Sequence, residues 1–230
     1  MERAIEAVLI RARVYIVSGN VFVNNFRIVK PSAFINMDST IEIRVERLEI
    51  RGSLKLQCAL AQWPMDILDK ICLDVGSSTG GFTYYLLKRG AARVYAVDCG
   101  KNQLLFHLRK NKKVYSLEGM PIQTIPKGMF KANPHIVVID VSFTSLKSVL
   151  GSVLRHVSNS FLYVLIKPQF EVAKCNLYKG IVKDMVIRNK VVIDLVQYIS
   201  RMKIKIIDVK ICSLLKESKN IEYWIYAYKE

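Results

Sequence analysis

The stretch Leu73-Asp74-Val75-Gly76-Ser77-Ser78-Thr79-Gly80-Gly81-Phe82-Thr83 joins a carboxylate to a glycine-rich turn and the opening of a helix. Glycine permits the strained turn and a close backbone approach to a ligand, and the first amides of the helix offer a polar edge. A second apolar run, Val94–Val97, ends in Asp98, whose carboxylate is placed to take the two hydroxyls of a ribose. Two more apolar runs end in polar groups, Asp140 in VVIDVSF and Lys167 in LIKPQFE. Open α/β sheets bind ligands where such strand ends converge.

Dinucleotide enzymes use a similar layout, so an NAD-dependent oxidoreductase is one alternative. Asp74, two residues before the first glycine, better suits a ligand carrying an ammonium and a sulfonium, as S-adenosylmethionine does. NAD would want its pyrophosphate on the helix amides. The expected cofactor frame is Asp74, Gly76, Ser77, Thr79, Gly80, Gly81, Phe82 and Asp98. Each polar group also has a plain reading. Asp140 could cap a helix near Ser145, Lys167 could be a strand-end cation, and Lys55 or Glu222 could be a surface ion-pair partner. Jointly these are less persuasive, since a buried strand rarely ends in lysine followed by proline while neighbouring strand ends supply acids. Ser142 and Ser145 with His135 or His156 evoke hydrolase chemistry, but no G-x-S-x-G elbow joins them.

The elements that must position these groups follow from periodicity. Short apolar runs at Ile71–Val75, Val94–Val97, His135–Asp140 and Phe161–Ile166 read as buried parallel strands with helix-length segments between them. Met185–Met202 reads as a long helix, and Ile204–Ile211 and Tyr223–Tyr228 as two last antiparallel strands at the sheet edge. The fold class expected is α/β, a doubly wound, mostly parallel sheet of the Rossmann-like type. Residues 1–50 read as a small α+β module, with a short helix, a hairpin around Gly19–Asn25, a loop at Lys30-Pro31 and a half-buried strand at Ile41–Val45. Residues 51–70 are expected to be a linker and the start of the catalytic domain, which then occupies 71–230.

Lys and Arg number 35 against 19 acids, a formal charge of +16, which makes nucleic acid the leading partner. Arg27, Lys30, Arg51, Lys110 and Lys112 are candidate phosphate contacts. The five cysteines are scattered without a C-x-x-C pair, so neither a metal site nor a disulfide framework is expected. Charged residues interrupt the opening segment and every long apolar stretch, which argues against a signal peptide or membrane span and for a cytoplasmic protein.

The motifs DVGSSTGGFT, VYAVD, VVIDVSF, IKPQFE and GIVKD, in that order, closely resemble the hemolysin A, or TlyA, family of ribosomal RNA methyltransferases. The resemblance implies an S4-like RNA-binding module joined to an FtsJ-like methyltransferase domain. SGNVFVNN followed by KP is similar to the family's Gly-x-Val-x-Val-Asn-Gly hairpin, though its usual Ser-Arg pair is missing. The resemblance also implies a catalytic Lys-Asp-Lys-Glu tetrad at Lys55, Asp140, Lys167 and Glu222. Around Lys55, Ile50 and Ser53 replace a serine and a glycine of the family pattern. The implied reaction is metal-free, in-line methyl transfer to a cytidine ribose 2′-hydroxyl, with ribosomal RNA or ribosomal subunits as partner. Lys167 would act as base or hydroxyl-orienting group, Asp140 and Glu222 as its positioners, and Lys55 as a cation near the substrate. Phe143, Phe170 and Tyr178 follow the catalytic strands, where an exposed aromatic could stack on a flipped base. Two other classes stay open, a degenerate RNA-binding protein of the same fold and a membrane-active hemolysin.

Overall fold

The computed structural model describes residues 12–13, 15–16, 21–43, 48–212 and 220–230. Gly19, Asn20, Arg44, Val45 and most of the expected first helix lie outside the described residues, as does the side chain of Arg51. The chain divides into two compact units, Met1–Leu48 and Glu49–Glu230.

In the first unit, β1 (Val21–Val23) and β2 (Phe26–Ile28) form an antiparallel hairpin. Its two-residue turn, Asn24-Asn25, has φ of 48° and 69°, the left-handed pair that matches the twist of the flanking strands and that asparagine tolerates. β3 (Ile41–Ile43) pairs with the other edge of β1. The Asn24 side chain accepts from the Thr40 amide at 2.9 Å and so ties the turn to the start of β3. Ile41 and Ile43, expected to be half-buried, are exposed, because a three-residue edge strand has few neighbours to cover it.

The second unit is built on a seven-stranded sheet. In chain order its strands are β4 (Ile71–Val75), β5 (Arg93–Asp98), β6 (Val114–Glu118), β7 (Ile136–Ile139), β8 (Ser160–Ile166), β9 (Lys205–Ile211) and β10 (Tyr223–Lys229). Their spatial order is β6-β5-β4-β7-β8-β10-β9, with β4 to β8 parallel and β10 running antiparallel between β8 and β9. The strand order reverses between β4 and β7, the switch point at which such sheets open a crevice at their carboxyl edge.

Alternation along the strands feeds two cores. Leu73 and Val75 of β4 face a cluster with α4 (Leu146–Leu154) and α5 (Met185–Ser200), while Cys72 faces one with α1 (Leu48–Gln62) and α2 (Gly81–Lys88). The strand β10 repeats this division, with Ile225 on one side and the fully buried Trp224 on the other. Much of the expected 51–70 linker is therefore helix, and Leu56, Ala59 and Leu60 of α1 are buried in the second core. Trp63, just after α1, donates its indole N–H to Asp208 of β9 at 3.0 Å, and its carbonyl accepts from the Tyr163 hydroxyl at 2.8 Å. β6 was not expected from periodicity, because among its five residues only Leu117 is buried.

Gly76 fixes the junction of β4 and β7. It has φ of +86°, and a Cβ there would lie 2.4 Å from the Asp140 carbonyl oxygen. Gly180 has a similar φ, +79°, but open space around it. In chemical denaturation Gly76→Ala is therefore expected to cost on the order of 3 kcal/mol or more, and Gly180→Ala only about 1 kcal/mol. Equal losses would show that the crowding at Asp140 relaxes freely.

Candidate active site

The carboxyl ends of β4, β5 and β7 surround a cavity of about 450 Å³, lined by Gly76, Ser78, Asp98, Cys99, Gln103, Pro121, Ile122, Gln123, Asp140 and Ser142 among others. That volume suits a nucleoside-sized ligand. Asp98, at the end of β5, is held by two backbone amides, with Ser78 donating to Oδ2 and Gly100 to Oδ1, each at 2.7 Å. Each oxygen keeps a further lone pair, so the carboxylate is oriented and still able to accept from hydroxyls in the cavity. The glycine turn closes on itself through the Gly80 amide and Ser77 carbonyl at 2.8 Å, and α2 begins at once after Gly80, whose φ is +99°.

The expected frame splits at this point. Of the expected residues Gly76 and Asp98 face the cavity, joined by Ser78, which the sequence reading passed over, whereas Asp74, Ser77, Thr79, Gly80, Gly81 and Phe82 are absent from its wall. Phe82 is buried 5.9 Å from Trp224, because the first turn of α2 turns that position toward the sheet. The Gly81 carbonyl is taken by the Ser53 hydroxyl at 3.0 Å, and the Thr79 carbonyl by the Leu105 amide at 3.2 Å. Asp74 is fully buried, and its Oδ2 accepts from the Thr83 amide at 2.9 Å and the Thr83 hydroxyl at 2.6 Å. Its Oδ1 and the Ser77 hydroxyl are buried without a partner. Burial pushes the Asp74 carboxyl up to about 7; the Thr83 hydrogen bonds oppose the rise, and the Asp140 and Asp98 charges add to it.

Beside the cavity, Lys55, Asp140, Lys167 and Glu222 come together from four distant segments. Asp140 follows β7 and is anchored by its amide to the Val75 carbonyl at 2.9 Å. Lys167 follows β8, where Pro168 ends the strand. Glu222 precedes β10. Lys55 reaches them from α1, which approaches α2 so closely that a Cβ on Gly52 would lie 3.0 Å from the Gly81 Cα. The Lys55 ammonium lies 2.6 Å from Glu222 and 3.8 Å from Asp140. Asp140 also pairs with Lys167, whose Nζ donates to the Ser142 hydroxyl at 2.9 Å. Burial pulls Lys55 toward neutrality, but the Asp140 and Glu222 carboxylates outweigh it and hold its pKa above the ordinary lysine value. Lys55 is thus a fixed cation bridging two acids.

Phe143, in the turn after Asp140, is 91% exposed with φ of 61°, an unusual conformation for a bulky side chain, and its ring lies 5.0 Å from that of Phe170. Tyr178 is also exposed, with the Lys183 ammonium 3.9 Å from its ring centre. Of the candidate phosphate contacts, Lys110 and Lys112 lie before the amino end of β6, away from this site, and Arg27 and Lys30 belong to the first unit.

Several positioning residues escaped the sequence reading. Glu118, ending β6, accepts from the Gln103 and Leu104 amides at 2.6 and 2.9 Å and pairs with Arg109 at 2.9 Å, so it shapes the loop that carries Gln103. Glu171 accepts from the Ser145 hydroxyl at 2.6 Å and the Leu146 amide at 2.7 Å, capping α4. Asn220 accepts from the Val182 amide at 2.9 Å and donates to the Gly180 carbonyl at 2.8 Å, pinning that loop two residues before Glu222. For Glu171 and Asn220 the residues stand in KPQFE and in Asn220-Ile221-Glu222, but nothing in those stretches separates a cap from a reacting group.

The profile of the FtsJ-like methyltransferase family matches residues 49–229. The chain is 36% identical to hemolysin A of Brachyspira hyodysenteriae over 218 residues, covering 93% of this chain and 90% of that protein. It is 33% identical over 214 residues to TlyA of Mycobacterium tuberculosis (strain ATCC 25618 / H37Rv), named a 16S/23S rRNA (cytidine-2′-O)-methyltransferase, covering 91% of this chain and 80% of that one. A solved structure from Streptococcus thermophilus, described as a presumed hemolysin, superposes with a TM-score of 0.76 at 31% identity, covering 95% of this chain and 82% of the other.

The raised Asp74 carboxyl sets a pH dependence. A group held above its unfolded value stabilises the fold fully below the unfolded pKa, about 4, and that stabilisation is lost as pH rises through about 7. Asp74→Asn removes the titration, so the stability of the variant minus that of wild type is expected to rise between about pH 5 and about pH 7, by at most ~1.4 kcal/mol per pH unit. Thermal denaturation across that range checks it, and a flat difference would mean that Asp74 keeps its charge throughout.

Proposed function

The chain belongs to the FtsJ-like methyltransferase family, in its hemolysin A/TlyA group, and from that membership we propose that it transfers a methyl group from S-adenosylmethionine to the 2′-hydroxyl of a cytidine ribose in ribosomal RNA. One observation carries the reading: Asp140 lines the nucleoside-sized cavity and also pairs with Lys167 and Lys55, so that the cavity and the charged cluster share a wall.

The residues present fit the cofactor. Asp98 presents an oriented carboxylate to a ribose, and Gly76 and Ser78 offer the backbone surface of the turn. The partnerless Asp74 and Ser77 oxygens lie beneath that turn with hydrogen-bonding capacity left over for a polar ligand group. When bound, S-adenosylmethionine supplies an electrophilic methyl group on a sulfonium.

An alcohol is a poor nucleophile at neutral pH and must lose its proton as the new oxygen–carbon bond forms. Lys167, at the rim and hydrogen-bonded to Ser142, receives that proton at Nζ or orients the hydroxyl for the attack. Asp140 holds Lys167 in place, and Glu222 holds Lys55, which also lies beside Asp140 and presents positive charge toward the substrate. Phe143, strained and exposed beside this cluster, offers a stacking face for the unpaired base next to the reacting ribose, with Phe170 and Tyr178 as flanking aromatics. The three-stranded first unit serves as a shortened S4-like module over residues 1–50, gripping RNA phosphates through Arg27 and Lys30, while Arg51, Lys110 and Lys112 add cations in the 51–230 catalytic part. Among the described residues no helix is long and apolar enough to cross a membrane, so nothing there favours a membrane-spanning hemolysin.

Incubating the protein with methyl-labelled S-adenosylmethionine and ribosomal RNA or subunits is expected to place label on a ribose. Lys167→Ala should reduce the rate by about 100-fold or more in a protein that remains folded. Retained turnover in that variant would remove Lys167 from the reaction, and cofactor binding without any label would favour a decayed, RNA-binding relative. Separately, Arg27→Ala with Lys30→Ala should weaken RNA binding and flatten its salt dependence by roughly one to two in log–log slope while leaving cofactor affinity unchanged. Equal RNA binding would exclude those two residues from the grip.

A further inference from the structure

The amino edge of the same sheet carries a second cavity, of about 220 Å³, lined by Arg93, Tyr95, Lys112, Lys113, Tyr115 and Lys131 among others. It opens where β5 and β6 begin and where the chain approaches β7, so it lies at the far end of the strands from the active site. All four cations are exposed, and none of them forms an ion pair with an acid among the described residues. No carboxylate lines the cavity.

Two aromatic residues give this basic hollow a more specific character. Tyr95 is only 1% exposed, yet its hydroxyl has no hydrogen-bond partner. A buried phenol ordinarily finds one, and leaving it unpaired costs about 1–3 kcal/mol. Its ring is held by Tyr115 edge-on at 5.8 Å and by Phe130 at 4.8 Å, so it cannot swing out to water without breaking that packing. Tyr115 itself is 46% exposed and offers a free aromatic surface at the mouth.

We infer that this cavity is a second docking point for RNA, taking a phosphodiester among Arg93, Lys112, Lys113 and Lys131 with the Tyr95 hydroxyl as an added donor, and a neighbouring base against Tyr115. Cations with an aromatic face are the combination that binds single-stranded or looped RNA. The cavity is smaller than the roughly 300–1,000 Å³ typical of sites that enclose a free small molecule, which suits a strand passing over it rather than a captured nucleotide. An acidic peptide would use the cations but not the exposed ring. The inference rests on the proposed RNA substrate and extends it. β5 runs from Arg93 at this cavity to Asp98 at the other, a separation of roughly 17 Å at the usual rise per residue. No single nucleotide spans that distance, so the RNA must follow the β6 edge or be folded to touch both ends, which would favour a structured substrate over a short oligonucleotide.

The test uses the full chain, with wild type, Lys113→Glu/Lys131→Glu and Tyr95→Phe compared on ribosomal RNA. Measured are RNA affinity against salt, KM and kcat for methyl transfer, and photo-crosslinking to RNA containing 4-thiouridine. The double variant is expected to bind RNA about tenfold or more weakly, with a salt slope shallower by roughly one to two, and to raise KM with kcat and S-adenosylmethionine affinity unchanged. Tyr95→Phe should lower RNA affinity about threefold or more while its Tm holds or rises, since it removes an unpaired buried hydroxyl. A merely structural tyrosine would not separate the two readouts. Crosslinks should include Tyr115. Methyl transfer with unchanged KM and no crosslink there would overturn the docking site and leave the proposed reaction standing. Displacement of RNA-independent binding by inorganic phosphate or AMP, with RNA affinity unaltered in the variants, would make it a free-anion site and overturn it equally. Absence of both RNA binding and methyl transfer in wild type would remove the RNA reading and this site with it.

Discussion

Four charges of alternating sign, Glu222, Lys55, Asp140 and Lys167, lie side by side at the carboxyl edge, with none of their side chains more than 18% exposed. Removing ions from water is costly, and each is tolerated only because its neighbour carries the opposite charge. The cluster therefore constrains the fold as much as the fold positions the cluster. Tyr223 pairs with Ile166 in the antiparallel ladder, so one step further Glu222 stands opposite Lys167 across β10 and β8. Slipping that ladder by one residue would send one partner to the other face and strand a charge. On the remaining side, Gly52 lets α1 approach α2 closely enough for Lys55 to complete the chain. A bulkier residue at Gly52 would act on chemistry through distance, without touching any reacting group.

Polar residues near the site divide into those that meet the cavity and those that hold backbone. Glu171, Asp184 and Asn220 follow or flank the strand ends that form the site, yet their oxygens accept from main-chain amides, at Leu146, at Val186 and Ile187, and at Val182. They satisfy helix starts and a loop that would otherwise leave donors unpaired. Ser145 does the same for α4, accepting from the Lys147 amide, so Asp140 is released from the capping role that its sequence neighbourhood allows. A local cap frees a strand-end carboxylate for ion pairing, and in this way the dullest hydrogen bonds in the region decide which acid can be chemically useful.

What could be read in the sequence followed from burial. Strands with both faces covered, such as Val94–Val97 and Phe161–Ile166, announce themselves as apolar runs, and the polar residue ending each run falls at the ligand edge. The hairpin at Asn24-Asn25 was equally legible, because few residues accept two successive left-handed conformations. An edge strand escapes this logic. With one neighbour and little cover, β6 shows no apolar run, and Glu118 at its end looks like any surface acid. The far wall of the cavity, Pro121 to Gln123, follows that strand and was lost with it. Phe82 and Asp74 show the opposite difficulty. A glycine-rich motif identifies a turn, but which of its side chains face the ligand depends on where the helix begins, and α2 begins at Gly81.

The placement of charge separates attraction from chemistry. The four-residue cluster contributes two cations and two anions, and Asp98 lies close by, so the carboxyl edge has no excess of positive charge with which to draw in a polyanion. The formal +16 must be carried elsewhere, and the amino edge, with four cations and no acid lining its cavity, is one place where it accumulates. A protein organised in this way can gain affinity for RNA without disturbing the balance that keeps Lys55 charged. Attraction through exposed lysines is screened by salt over about 10 Å, whereas the partly buried cluster is screened far less. Ionic strength should therefore act on encounter with a polyanion far more than on the charged cluster beside the cavity.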